Sequence, residues 1–309
     1  MNGISSRVMV VRLQGTFRRR RILRGEMAEN RPIETENDFF VRFWGVRGSI
    51  PCPAADSLRY GGNTACLEIR AGDRKLILDA GSGLRYLGGQ LMAGAPGEWE
   101  MLLTHTHYDH VCGLPFFVPF FVPGWSFDVY AGHLLPEYNL DQILHELMMA
   151  PLFPVPPSIF NANINYIDYK GGEELPEKHG ARIFSHPLNH PNGACGYKVV
   201  FGGKSICYLT DLEHPADGPD PGLVEFVRDT DIIIYDACYT DEEYPAKAGF
   251  GHSTWQEGAK LADAANVGTY VAFHHDPDHN DDFMDDVARQ LEQRRPGSIV
   301  AREGMVLRP

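Results

Sequence analysis

Residues 102–113 read LLTHTHYDHVCG and place three histidines and an aspartate, His105, His107, Asp109 and His110, within six residues behind an apolar run. The run EMLLT (100–104) is predicted as a strand. In extended chain the side-chain period is two, so His105 and His107 share one face, while Asp109 and His110 fall in the following turn and can address a second centre. Packing alone gives no reason for this spacing. Ring nitrogens and a carboxylate on one short loop suit two metal ions.

From Asp38 onward the sequence alternates short apolar runs with helical stretches and Gly/Pro punctuation, and shows neither an internal repeat nor a low-complexity linker. Further strands are predicted at 39–45 (FFVRFWG), 64–70 (TACLEIR), 75–80 (KLILDA), 196–201 (GYKVVF), 205–210 (SICYLT), 231–237 (DIIIYDA) and 269–274 (TYVAFH). Helices are predicted at 83–92, 138–149, 221–228, 254–266 and 281–294. This is an α/β pattern for one domain over 38–309. Several runs end abruptly in a polar residue: Asp79, His105 behind Thr104, Asp211, Asp236 and His274. A polar residue at the last position of a buried strand projects into the loop layer, where a rigid sheet can aim it.

The chain has 309 residues, 43% of them hydrophobic, enough for a sizeable core. No run of 18 apolar residues occurs, so no membrane span is expected. The six cysteines (Cys52, Cys66, Cys112, Cys195, Cys207, Cys238) form no C-x-x-C pair, and no secretory peptide is read, so a reducing cytoplasm is the expected location. Cys66 and Cys207 read as small buried hydrophobes. Formal net charge is −13, although residues 1–26 hold seven arginines and one glutamate; the rest is more acidic still. Residues 1–37 therefore read as a solvated, disordered N-terminal tail, or as an extension upstream of a second candidate start at Met27. An acidic body is a poor partner for a nucleic-acid backbone.

The motif H-x-H-x-D-H behind a strand resembles the signature of the metallo-β-lactamase superfamily, over roughly residues 38–309. The resemblance implies an αβ/βα four-layer sandwich holding two divalent metal ions. It assigns His105, His107 and His190 to one ion, Asp109, His110 and His274 to the other, and Asp211 as the bridging carboxylate. His190 is preferred to His186 because it precedes the strand GYKVVF by a few residues. Asp211 reads otherwise as a helix cap. Asp79, before Gly81 and Gly83, corresponds to the aspartate that orients a motif histidine. Nitrogen and carboxylate donors without thiolate suit Zn, with Mn or Fe as alternatives.

A second stretch, FGHSTWQEGAKLA (250–262), resembles the G-H-S-T segment of the superfamily's phosphodiesterase branch, which includes transfer-RNA 3′ processing nucleases and cyclic phosphodiesterases. Ser253 or Thr254 is expected to cap the helix behind it. On this resemblance His252 protonates the leaving alkoxide, with Asp236 of YDAC as its orienter where the nucleases have H-E-A-T. A hydroxide bridging the metals, beside Asp109, is the implied nucleophile. The stretches FWGVRGSIPCP, RYGGNTACLEI, YDACYTDEEYP and FHHDPDHND resemble bacterial cyclic phosphodiesterases and cyclic-nucleotide-degrading hydrolases. They make Arg47 and Asn63 either phosphate contacts or plain loop residues, and His275 and His279 either functional or solvated loop residues.

The expected substrate is thus a small cyclic nucleotide or cyclic sugar phosphodiester, with nucleic acid and membrane disfavoured. The alternatives are an RNA-processing nuclease, a thioester or lactone hydrolase, and a cyclic-nucleotide-binding protein without catalysis. The aromatic stretch 113–166, read as an insertion, is a local core or a homodimer interface in preference to a base-stacking lid.

Overall fold

Strands that are apolar on both faces need cover on both, which dictates a layered fold. The computed structural model describes residues 38–309. One sheet holds β1 (Phe39–Gly45), β2 (Cys66–Ala71), β3 (Arg74–Leu78), β4 (Glu98–Leu103), β5 (Ser126–Ala131), β6 (Asn163–Asp168) and β14 (Val306–Leu307), ordered β14-β1-β2-β3-β4-β5-β6. The other holds β7 (Glu174–Lys178), β8 (Ala181–Leu188), β9 (Ala194–Phe201), β10 (Lys204–Leu209), β11 (Ile232–Asp236), β12 (Thr269–Phe273) and β13 (Ile299–Val300), ordered β13-β12-β11-β10-β9-β8-β7. Strands β3 to β6 and β10 to β13 run parallel within their sheets, and the remaining neighbours pair antiparallel.

Period two sorts the side chains into layers. In β3, Leu76 and Leu78 enter the core between the sheets, while Ile77 packs with Leu84, Leu87 and Leu91 of α1 (Leu84–Leu91). In β12, Val271 and Phe273 enter the same central core, whereas Tyr270 and Ala272 pack with α5 (Trp255–Ala264) and α6 (Asp281–Arg294). The result is the expected α/β/β/α sandwich. Burying such an aliphatic side chain contributes about 1.5–3 kcal/mol, so the packed layers carry stability and leave the strand ends free for polar residues.

The remaining helices are α2 (Tyr108–Val111), α3 (Leu140–Leu147) and α4 (Pro221–Val227). Asn139, Asp220, Thr254 and Asn280 each accept a backbone N–H at a helix start, for α3, α4, α5 and α6 respectively. Thr254 is therefore the cap, and Ser253 is not. The segment 113–166 is not an insertion, because β5 and most of β6 lie in it and extend the first sheet. Its aromatics divide: Phe117, Phe120, Trp125 and Phe127 are buried together, with Phe117–Phe120 and Phe120–Phe127 centroids 5.0 Å apart. Phe116 stays exposed. The predicted tail, residues 1–37, lies outside the described residues. Among the described residues no helix is long and apolar enough to cross a membrane.

The parallel strands deliver their C-terminal ends to one edge of the sandwich. From the first sheet come Asp79 after β3, His105 after β4 and His133 after β5; from the second come Asp211 after β10, Asp236 at the end of β11 and His274 after β12. Open α/β sheets present ligand sites at such ends.

Candidate metal centre

Five residues at this edge hold a left-handed backbone without being glycine: Ser49 (φ 60°), Asp79 (φ 59°), Asn192 (φ 66°), Asp211 (φ 60°) and His274 (φ 64°). That conformation costs a non-glycine residue of order 1–3 kcal/mol and persists where surrounding contacts fix it. Here the contacts are with one another, through a cluster built from both sheets.

His105, His107 and His190 bring one ligand atom each within 4.8 Å of the others. His190 Nδ1–H donates to the Gly251 carbonyl at 2.7 Å, and His107 Nε2 lies 3.2 Å from Asn192 Oδ1. These bonds fix both tautomers. They leave bare lone pairs on His190 Nε2 and His107 Nδ1, which face each other at 3.0 Å. His105 Nε2 is buried without any hydrogen-bond partner. Burial above all, then the neighbouring His110, holds His105 well below the ordinary imidazole value. Three unprotonated ring nitrogens converging on one point fit a cation.

Asp109, His110 and His274 form the second group. His110 Nδ1–H donates to Asp79 Oδ2 at 2.9 Å, so the neutral ring would turn a lone pair toward Asp211 Oδ2 at 3.1 Å and Asp109 Oδ2 at 3.3 Å. A lone pair against two carboxylates is repulsive, and only a proton or a metal relieves it. Burial alone would lower His110, but Asp211, Asp109 and Asp79 raise it well above the ordinary value. Burial would raise Asp109 and Asp211; the histidines outweigh it and hold both carboxyls well below the ordinary range.

Asp211 divides its oxygens between the groups. Oδ1 lies 3.8 Å from His105 Nε2 and 3.9 Å from His190 Nε2, while Oδ2 lies 3.1 Å from His110 Nε2 and 3.3 Å from His274 Nε2. It is buried at the centre and caps no helix. Asp79 is saturated, accepting from Thr104 N, Thr104 Oγ1, Tyr208 Oη and His110 Nδ1 at 2.7–2.9 Å. It fixes His110, as an orienting carboxylate does.

His252 adjoins both groups, its ring 5.0 Å from that of His274 and 5.7 Å from that of His190. Its Nδ1–H donates to Asp236 Oδ2 at 2.9 Å. Burial would lower it, but the Asp236 charge and hydrogen bond raise it to about 9. With Nδ1 engaged, Nε2 is the nitrogen left to exchange a proton outward. Asp236 also accepts from the backbone N–H groups of Asp211, Cys238 and Ser253 at 2.9, 3.0 and 3.2 Å. The Cys238 sulfur lies within ligand reach of His252 and His274, but burial first, then Asp236, pushes its thiol well above the ordinary value, which disfavours the thiolate a metal would need.

The structure brings together every residue that the sequence singles out for the two centres, and leaves others elsewhere. His186 stacks on Phe226 at 4.8 Å within β8. Arg47 is fully buried, its guanidinium donating to the carbonyls of Gly61, Asp276 and His279; it ties loops together and is no open phosphate contact. Asn63 donates to Glu303. His275 and His279 are buried, contrary to a solvated-loop reading: His275 Nε2 donates to the Ala301 carbonyl, and His279 pairs with Glu243 at 2.8 Å. Cys66 and Cys207 are buried and free.

Several residues at the site escape sequence reasoning. Ser49 N–H donates to Asp109 Oδ2 at 2.7 Å, Tyr208 bonds Asp79, and His133 Nε2 lies 3.1 Å from Thr106 Oγ1, between two of the motif histidines. Only His133 had a sequence signal, at the end of a strand that was not predicted. Gly48 is required by its surroundings, since a Cβ there would stand 2.6 Å from the His274 ring.

Comparison with known proteins agrees with this layout. Residues 74–275 match the family model described as beta-lactamase superfamily domain. The Ribonuclease Z of Bradyrhizobium sp. (strain ORS 278) is 24% identical over 284 residues, covering 76% of this chain and 89% of its own. Among solved structures, a diphosphatase from the PhnP family superposes with a TM-score of 0.66 at 19% identity, over 88% of this chain and 98% of that one. The metallo-beta-lactamase fold protein YhfI from Bacillus subtilis gives 0.65 at 18% identity, over 88% and 100%. At these identities the solved structures speak for the fold alone.

Proposed function

The chain belongs to the beta-lactamase superfamily domain family, and from that premise we propose that it is a metal-dependent phosphodiesterase with two divalent ions. His105, His107 and His190 would hold one ion, Asp109, His110 and His274 the other, with Asp211 shared between them. Divalent ions so held supply a nucleophile from water at neutral pH and neutralise developing charge on phosphoryl oxygens. The chain's own residues do the rest. Asp79 and the Gly251 carbonyl fix ring tautomers, so that His110 and His190 present unprotonated Nε2 atoms. Asp236 holds His252 protonated, and His252 delivers that proton to the departing oxygen.

One observation carries this reading: a buried imidazole, raised by a carboxylate at 2.9 Å, stands beside the metal cluster. A poor alkoxide leaving group needs such an acid. Imidazole and carboxylate donors with an acid beside them suit phosphodiesters.

Two substrate classes have support. The relatives named Ribonuclease Z favour cleavage of RNA. This draws against the expectation that nucleic acid is disfavoured. A small phosphodiester, the class expected from the sequence, is favoured by charge: the loops after β11 and β12 carry Asp241, Glu242, Glu243 and Asp278 beside the single Lys247, a surface that repels a polyanion. The deciding experiment is product analysis of the Zn- or Mn-loaded protein with precursor transfer RNA, cyclic nucleotides, a ribose cyclic phosphate, a lactone and a thioester. Cleavage of the lactone or thioester with no phosphodiester cut would refute the proposal.

A further inference from the structure

The segment that follows the shared carboxylate reaches the acid from two sides. Two residues beyond Asp211, the Glu213 carboxylate accepts the backbone N–H of Gly249 and that of Gly251 on the same oxygen, the second at 3.2 Å. The backbone N–H of Glu213 donates to the Asn189 carbonyl at 2.8 Å, next to His190. His214 Nδ1 lies 2.9 Å from Ser253 Oγ, and its ring lies 4.2 Å from that of Tyr244. His252 therefore sits between Gly251, held by Glu213, and Ser253, held by His214 and Tyr235. Gly251 permits the closeness: its φ is +88°, and a Cβ would stand 2.3 Å from His190 Nδ1.

We propose that Glu213, reinforced by His214, is a positioning residue that clamps the Gly249–Ser253 turn and so sets both the His252 acid and the His190 ligand relative to Asp211. The inference rests on the phosphodiesterase reading for its kinetic consequence, though not for the clamp itself. The physical reason is rigidity. Asp211, Glu213 and His214 leave β10 on one short piece of chain, so the acid and the metal-holding carboxylate share one anchor. Without the carboxylate two N–H donors lose their acceptor, the turn loses its hold, and the Gly251 carbonyl that fixes the His190 tautomer moves with it. A displacement near 1 Å in such a site can lower turnover about 100-fold.

The test compares the full-length protein with Glu213→Ala and Glu213→Gln, the glutamine keeping a carbonyl oxygen able to accept both N–H groups. Amide exchange at residues 249 and 251, zinc affinity by chelator competition, and turnover of alkyl and nitrophenyl phosphodiesters at saturating metal are measured. In the alanine variant the two amides exchange about tenfold faster or more, zinc binds more weakly, and alkyl-ester turnover falls about 10- to 100-fold with a smaller loss on the nitrophenyl ester. Glutamine restores all of these to within a few fold. Unchanged exchange in the alanine variant, equal losses on both esters, or a glutamine variant as damaged as alanine would overturn the clamp. Should the parent protein cut no phosphodiester, the proposed function fails, and exchange and zinc affinity still decide for or against the clamp.

Discussion

Replacing His252 by alanine separates proton donation from metal holding. The substitution takes the imidazolium from the buried Asp236 carboxylate, which stays hydrogen-bonded through three backbone N–H donors from Asp211, Cys238 and Ser253. The grouping of His105, His107 and His190, and that of Asp109, His110 and His274, contain no atom of His252. Metal content is therefore expected to stay at the parent value. Turnover of an alkyl-leaving phosphodiester falls by about 10² to 10⁴, the usual yield of a positioned acid, or about 2.7–5.4 kcal/mol of barrier. A nitrophenolate leaves without a proton, so the loss on that ester stays within about tenfold. The pH profile gives a second sign. Asp236 raises His252 against the lowering effect of burial, and the acid works only when protonated, so alkyl-ester turnover holds at lower pH and declines as pH rises through the folded value. The His252→Ala protein lacks that declining limb. Asp236→Asn moves turnover the same way, less far, and also destabilises by about 1–3 kcal/mol, because an amide NH₂ would face backbone N–H donors. Steady-state kinetics on the two esters with metal analysis by mass spectrometry reads all of this. Equal losses on both esters, or metal content falling with activity, would refute the acid assignment.

Metal removal by chelation lowers the melting temperature, since ions bind the assembled cluster and not the unfolded chain; an excess of 100-fold over Kd is worth about 2.7 kcal/mol, and equal melting with and without chelator would contradict the two-group reading. Gly48→Ala pushes a Cβ to 2.6 Å from the buried His274 ring, so zinc affinity drops by about tenfold or more, and the stripped protein melts lower as well because the overpacked ring must shift. Glu243→Gln tests the pair with His279: burial would raise Glu243, but the His279 hydrogen bond outweighs it and holds it below its ordinary value. The stability from that depressed carboxyl is present at neutral pH and lost as pH falls through its folded value, so the melting gap between parent and variant narrows on acidification, and a gap constant from neutral to acid pH would count against it.

What was legible in the sequence was what local pattern encodes. β1, β10, β11 and β12 are runs whose alternate residues are all apolar or small, and they lie within a residue or so of the expected limits because both sheet faces are buried. β6 and β7 carry mixed, only partly buried side chains, as NINYID and ELPEK, and so give no strand signal; they form because a neighbouring strand offers a hydrogen-bonding edge. The cluster was legible in part for the same reason, since Asp211 and His274 close apolar runs that end at a common edge, while His105, His107, Asp109 and His110 stand in one closely spaced motif and His190 was implied by the family resemblance alone. Arg47 and His275 were not, because nothing local tells a buried arginine with carbonyl partners 14 to 232 residues away from an exposed one.

The left-handed backbone at Asp79, Asp211 and His274 was equally invisible, as sequence reading associates that conformation with glycine. Asp79 and His274 directly follow β3 and β12, and Asp211 lies two residues beyond β10; at each the reversal of φ breaks the strand's alternation at the edge where the strand ends of the two sheets gather. An extended residue there would have kept to one face of its own sheet. Donors from two sheets can meet because the chain breaks period two at the last residue, and the contacts of the cluster hold that break in place. A glycine would adopt the φ at no cost and bring no donor. Asp211 and His274 accept the strain where their side chains meet at 3.3 Å in the cluster, and Asp79 where its carboxylate accepts from Thr104, Tyr208 and His110.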